Sequence, residues 1–161
     1  VTDVIAFDKD STLADTSPRH WMAEKIKLQE GSHTWADYSR ACVDDKPIES
    51  TRRLMYLLAP HYPLYIMSGA NDCPEARQWL LDHRFPYNRL FFRQEGDFTE
   101  NGLLKVQWIR ELREQNINVK LLVEDWRETA EFVEAETGVP CLLVNPRYPE
   151  DAPWGGPQGS V

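Results

Sequence analysis

Two carboxylates separated by one residue, Asp8 and Asp10, close an apolar run, Val4-Ile5-Ala6-Phe7, and are followed by Ser11-Thr12. A bare D-x-D carries little weight, because the chain's 12 aspartates supply roughly one such triplet by chance. Position adds to it: in an open α/β sheet, ligands bind beyond the carboxyl ends of the strands, where these acids are expected. Three more groups stand at matching places. Ser68-Gly69 follows the run Leu64–Met67 and offers a hydroxyl and a bare backbone to a phosphoryl oxygen. Lys105 opens the helical pattern after the third run, and Glu124-Asp125 follows Val123 as a second acid pair of the kind that completes an all-oxygen magnesium site. Singly, each has an ordinary reading as a turn, a solvated helix residue or acids favoured by a helix N-terminus. Found together in one order, the four outweigh those ordinary readings.

The elements that must position these groups are legible as alternation. Short β-type runs at Val4–Phe7, Leu64–Met67, Leu90–Phe92, Lys120–Val123 and Cys141–Val144 are separated mostly by helical patterns, which predicts a parallel α/β sheet. Ala76, Trp79, Leu80 and His83 mark one apolar helical face, and Leu104, Trp108, Ile109 and Leu112 another. Their tryptophans are expected to pack onto the sheet. Gly138 and Pro140 end the helix through Phe132 and Val133. Between the first strand and a helix through Leu54 and Leu57, residues 14–50 form an insertion with helical segments at Trp21–Gln29 and Thr34–Val43, expected to act as a small lid. The expectation is one domain, residues 1–151, in a three-layer Rossmann-like arrangement, with a flexible tail at 152–161 rich in Gly and Pro.

Composition narrows the function. Eighteen Lys+Arg against 26 Asp+Glu give a net charge of -8, which disfavours broad capture of a nucleic-acid backbone or an anionic membrane. The longest charge-free stretch, Leu54–Asn71 apart from histidine, is interrupted by Pro60, His61 and Pro63, so no membrane span is expected. The N-terminal run lacks a basic flank and a cleavage site, so a cytoplasmic location is expected, in the host cytoplasm if the chain is phage-encoded. Cys42, Cys73 and Cys141 form neither a disulfide framework nor a zinc site and are read as small apolar residues. His20, His33, His61 and His83 show no ligand-like pairing.

The order D-x-D, Ser-Gly, Lys, acid pair resembles the haloacid-dehalogenase-like (HAD) phosphohydrolase superfamily over about residues 4–144. Within it, Phe92-Arg93-Gln94-Glu95-Gly96-Asp97 leading to Lys105, Leu122-Val123-Glu124-Asp125 and Gly138-Val139-Pro140-Cys141 look like the phosphatase half of phage polynucleotide kinase-phosphatases. Asp44-Asp45-Lys46-Pro47-Ile48 is similar to a segment of phage relatives. The resemblance implies an aspartyl-phosphate on Asp8, with Asp10 as general acid and base and Ser68 and Lys105 holding the transferring oxygens. It implies magnesium held by Asp8, Asp125, Glu124 and the backbone carbonyl of Asp10, and substrate contacts from Thr12, Gly69 and Arg93. The implied substrate is a 3'-phosphate at a polynucleotide end. Departures are also present: Ala70 and Trp126 stand where that subfamily usually carries Arg, and Thr99 and Asn101 where it carries Arg and an acid.

A second enzyme reading is a nucleotide or other small-molecule phosphatase, favoured by the acidity and by Ala70. A phosphoreceiver would need its acceptor on a later strand, and the strand ends at Phe92 and Val144 offer none. A catalytically silent binding module is at odds with the presence of both Asp8 and Asp10, and no G-x-x-x-x-G-K-[ST] loop signals a kinase. For the polynucleotide reading, Arg19, Lys25, Lys27, Arg40 and Arg93 are the cations expected to line one rim.

Overall fold

The computed structural model describes residues 1–144. The expected tail, and the last residues of the expected domain, lie outside the described residues. Five parallel strands form the main sheet: β1 (Thr2–Phe7), β4 (Leu64–Asn71), β5 (Arg89–Arg93), β6 (Ile117–Glu124) and β7 (Cys141–Leu143), in the order β5-β4-β1-β6-β7. Strand β1 is central, pairing with β4 through Phe7 opposite Ile66 and with β6 through Phe7 opposite Val123. Strands β1 and β6 therefore end at one level, just beyond Phe7, while β4 runs on past Ser68 to Asn71.

Central strands covered on both faces read as unbroken apolar runs, and β1 is such a run. Ile5 and Phe7 face a core with Met55, Leu64, Ile66, Ala76, Trp79 and Leu80. Val4 and Ala6 face the opposite core with Met67, Val106, Ile109, Leu112, Leu122 and Val133. Helices α3 (Glu49–Leu58) and α4 (Pro74–Asp82) thus cover one face, and α5 (Asn101–Glu114) and α6 (Arg127–Thr137) the other, giving the three layers expected. Trp79 is buried and Trp108 packs half-buried against Phe91. Gly138, at φ 72°, occupies the left-handed position that ends α6.

The insertion is more than helical. It contains a two-residue antiparallel pair, β2 (Ala14–Asp15) with β3 (Lys46–Pro47), and between them two short 3-10 turns, α1 (His20–Lys27) and α2 (Trp35–Arg40). Thr34 and Asp37 form a reciprocal capping box at the start of α2. The Ile48 N–H donates to the Leu13 carbonyl at 2.7 Å, and Trp79 Nε1–H donates to the Asp45 carbonyl at 2.9 Å, so both legs of the insertion are tied to the body. Cys42 and Cys73 are buried in the core, where burial pushes the Cys42 thiol up to about 11. No helix among the described residues is long and apolar enough to cross a membrane.

Candidate active site

Strand pairing brings the two acid pairs together. Asp8 donates its backbone N–H to the Val123 carbonyl at 2.8 Å, placing its side chain beside Glu124 at the end of the neighbouring strand. Oxygens of Asp8, Glu124 and Asp125 lie within 4.8 Å of one another. Lys105, one turn into α5, reaches between them: its Nζ donates to Asp8 Oδ1 at 2.7 Å and to Glu124 Oε2. The other Glu124 oxygen accepts the N–H groups of Asp125 and Trp126 just ahead of α6, so one carboxylate both caps a turn and faces the site.

One ammonium faces three buried or half-buried carboxylates. Burial, followed by the charge of Glu124, pushes the Asp8 carboxyl up to about 6 despite Lys105. Burial and the neighbouring acids also hold Asp125 well above the carboxylate range. This uncompensated negative charge on a set of hard oxygen donors fits a small divalent cation such as magnesium. Asp8, Glu124 and Asp125 are the side chains that would hold it.

Thr12, expected at the substrate, is fully buried instead. Its Oγ1 lies 3.3 Å from both Asp8 Oδ2 and Asp125 Oδ1, and its single proton can serve one of them at a time. Its backbone carbonyl accepts from Thr51 Oγ1 at 2.6 Å, fixing the turn to α3. Thr12 can therefore orient one of the two carboxylates at a time.

Asp10 departs from the alternation expected of an extended chain. Strand β1 ends at Phe7, and the chain coils so that the Lys9 carbonyl accepts from Thr12, Leu13 and Ala14, with Ser11 at φ 64°. The Asp10 carboxylate consequently points to two cations, Lys9 Nζ at 3.0 Å and Arg19 Nη2 at 2.9 Å. Burial opposes its ionisation, but Arg19 and then Lys9 outweigh burial and hold it well below the usual carboxylate range. Arg19 in turn grips buried Asp45 through Nε and Nη2, the latter at 2.6 Å, and donates Nη1 to the Tyr38 carbonyl. Arg19 is therefore an interior residue beside the site, not a rim cation. Sequence reasoning missed Lys9 and Asp45 here; the only signal for Asp45 was the segment Asp44–Ile48.

Ser68 is buried at the end of β4, its Oγ accepting the Ala70 N–H at 3.1 Å. The pairing of β4 with β5 skips from Ser68 opposite Phe92 to Asn71 opposite Arg93, leaving Gly69 and Ala70 as a bulge, a device common beside active sites. Arg93 closes that bulge. Its Nε donates to the Gly69 carbonyl at 2.8 Å, Nη1 to the carbonyls of Asp97 and Thr99, and Nη2 to Asn101 Oδ1 at 2.7 Å. The guanidinium expected at the substrate is thus committed to the loop that frames Gly69. Gly69 is needed for space: a Cβ there would fall 2.1 Å from Asn101 Oδ1.

No family model and no curated protein matches the sequence. Solved structures do match its shape. A chain of the Pnkp1/Rnl/Hen1 RNA repair complex aligns over 90% of this chain and 43% of its own, with a TM-score of 0.71 and 17% identity. The present chain spans less than half the length of the repair-complex chains it matches, 43% and 46%. The haloacid dehalogenase-like hydrolase SP0104 from Streptococcus pneumoniae aligns over 89% of this chain and 84% of its own, with a TM-score of 0.59 and 16% identity. A HAD family enzyme from Bacteroides thetaiotaomicron, in complex with magnesium and inorganic phosphate, aligns over 94% and 98%, with a TM-score of 0.56 and 9% identity. The fold is haloacid-dehalogenase-like.

Proposed function

We propose that the chain is a magnesium-dependent phosphomonoesterase that works through an aspartyl-phosphate on Asp8. The observation that carries this reading is the convergence of Asp8, Lys105, Glu124 and Asp125 at one strand-end level, with Asp10 two residues beyond the nucleophile. A bound magnesium would supply positive charge to offset repulsion between the carboxylates and the phosphoryl group.

In the first step Asp8 attacks phosphorus, the ester P–O bond breaks, and the leaving oxygen takes a proton from Asp10. Ser68 and Lys105 hold the phosphoryl oxygens. In the second step water attacks the phosphorus of the aspartyl-phosphate, Asp10 accepts its proton, and inorganic phosphate and free Asp8 are released. The ionised, Arg19-bound Asp10 matches the second step, when a base is required. For the first step its contact with Arg19 must loosen so that it can carry a proton.

The preferred substrate in this reading is a 3'-phosphate at a polynucleotide end. It is supported by the sequence stretches around Arg93 and Asp45 and by the likeness in fold to a chain of an RNA repair complex. The second reading, a nucleotide or other small phosphate ester, is favoured by the net charge of -8. The test is phosphate release from a 3'-phosphorylated oligonucleotide and from nucleoside monophosphates, with EDTA and with magnesium restored. Activity is expected only with metal, with the higher kcat/KM on the oligonucleotide, and Asp8→Asn is expected to abolish it. Substantial steady-state turnover by Asp8→Asn, or full activity after chelation, would refute the mechanism; better turnover of mononucleotides would transfer the conclusion to the second reading.

A further inference from the structure

The insertion exposes aromatic rings that the hydrolytic chemistry does not use. Trp21 and Trp35 are 50% and 44% exposed, on α1 and α2 respectively, although aromatic residues of this size usually supply core. Each ring is held by an edge-on neighbour: Trp21 by His33 at 5.3 Å, and Trp35 by Tyr38 at 5.5 Å. Each ring is thus held in place while about half of its surface stays open to solvent.

These rings are connected to the site. The Arg19 guanidinium lies 4.3 Å from the Tyr38 ring centre and its Nη2 holds Asp10, so Trp35 is three contacts from the proposed acid. Helix α2 is fastened to the strand end that bears Ser68, because the Asn71 N–H donates to Ser39 Oγ at 3.0 Å. A cation lies alongside one of them. Lys25 Nζ stands 5.7 Å over the Trp21 ring, and Lys25 makes no ion pair among the described residues. An exposed ring carrying an ammonium group, with a second exposed ring on the next helix, matches the chemistry of a single strand, in which bases alternate with phosphates.

We infer that Trp35 and Trp21, with Lys25, form a stacking platform for the nucleobases of a single-stranded nucleic acid whose terminal phosphate enters the site. This rests on the polynucleotide reading above and deepens it. Stacking on an aromatic ring tolerates any base, so the platform would recognise strandedness and not sequence.

The test uses the full chain and a labelled, unphosphorylated oligothymidylate, with binding read by fluorescence anisotropy, together with kcat and KM for the 3'-phosphorylated form. Trp35→Leu keeps apolar bulk but removes the ring and is expected to raise Kd and KM by about 10-fold, within the range measured for loss of one stacked base. Trp35→Phe is expected to restore most of the affinity, and Trp21→Leu to give a smaller loss. Circular dichroism of each variant establishes that it is folded. Unchanged oligonucleotide affinity in folded Trp35→Leu and Trp21→Leu, or no oligonucleotide binding by the parent chain, overturns the platform. Continued dephosphorylation in that first case would leave the phosphatase reading standing. Trp35-dependent binding without phosphate release would support the platform and refute the phosphatase reading.

Discussion

At the scale of single residues, the arrangement turns on how buried charges are satisfied. Arg19 spans two carboxylates, Asp10 and Asp45, and its side chain is 2% exposed. Removing one partner of such a group leaves an uncompensated interior charge, at a cost of about 3 to 5 kcal/mol. Arg19→Lys keeps the charge but cannot present the same fork to Asp45 while also reaching Asp10. It is expected to lower kcat by about 100-fold, the lower end of what a positioned acid-base group contributes, with a smaller effect on KM. Steady-state kinetics and the pH profile of kcat check this, since misplacing Asp10 should alter the profile, whereas mere destabilisation should not. Asp8, Asp10, Lys105, Glu124 and Asp125 could be singled out from the sequence because each follows an apolar run in a fixed order, although Asp10 lies in the turn beyond β1 and Lys105 one turn into α5. The roles of Thr12, Arg19 and Arg93 could not, because burial and hydrogen-bond partners depend on how distant segments meet.

At the scale of elements, the apolar runs located all five sheet strands, since a strand covered on both faces needs an unbroken run wherever it lies. The β2–β3 pair escaped notice: two residues per strand carry no periodicity. The same is true of the bulge after Ser68, which exists because β4 pairs with Phe92 and then with Arg93 across two extra residues. That bulge places Gly69 against Asn101, and Arg93 binds both. Gly69→Ala must displace Asn101 and loosen Arg93, an overpacking change expected to cost about 1 to 3 kcal/mol. Because Ser68 borders the bulge and its Oγ accepts the Ala70 N–H within it, a fall in kcat should accompany the loss of stability. Denaturant unfolding and kinetics on the same preparation check both. Asn101→Gly together with Gly69→Ala should recover part of the stability, because the obstructing side chain is then absent.

For the whole molecule, the net charge of -8 means that, on the polynucleotide reading, a nucleic-acid strand would approach against the average field. Local cations must do the work, and fewer remain than the sequence suggested. Arg19 is buried with Asp10 and Asp45, Arg93 is committed to the bulge and its loop, and Arg40 pairs with Asp37 at 2.6 Å. Lys25 and Lys27 are the two of that set without an ion-pair partner among the described residues. Each phosphate neutralised on a single strand contributes about -0.7 to the slope of log affinity against log salt. Lys25, the cation seated at Trp21, therefore predicts a slope of about -0.7 for an unphosphorylated oligonucleotide, far shallower than for a protein that coats nucleic acid. A titration between low and moderate salt measures it directly. Lys25→Glu should bring the slope close to zero and weaken binding at low salt, whereas Lys27→Glu, on another side of α1, should change both less; stacking on Trp35 persists as a salt-independent remainder. A slope of -4 or steeper would require a basic track that Lys25 and Lys27 alone do not provide.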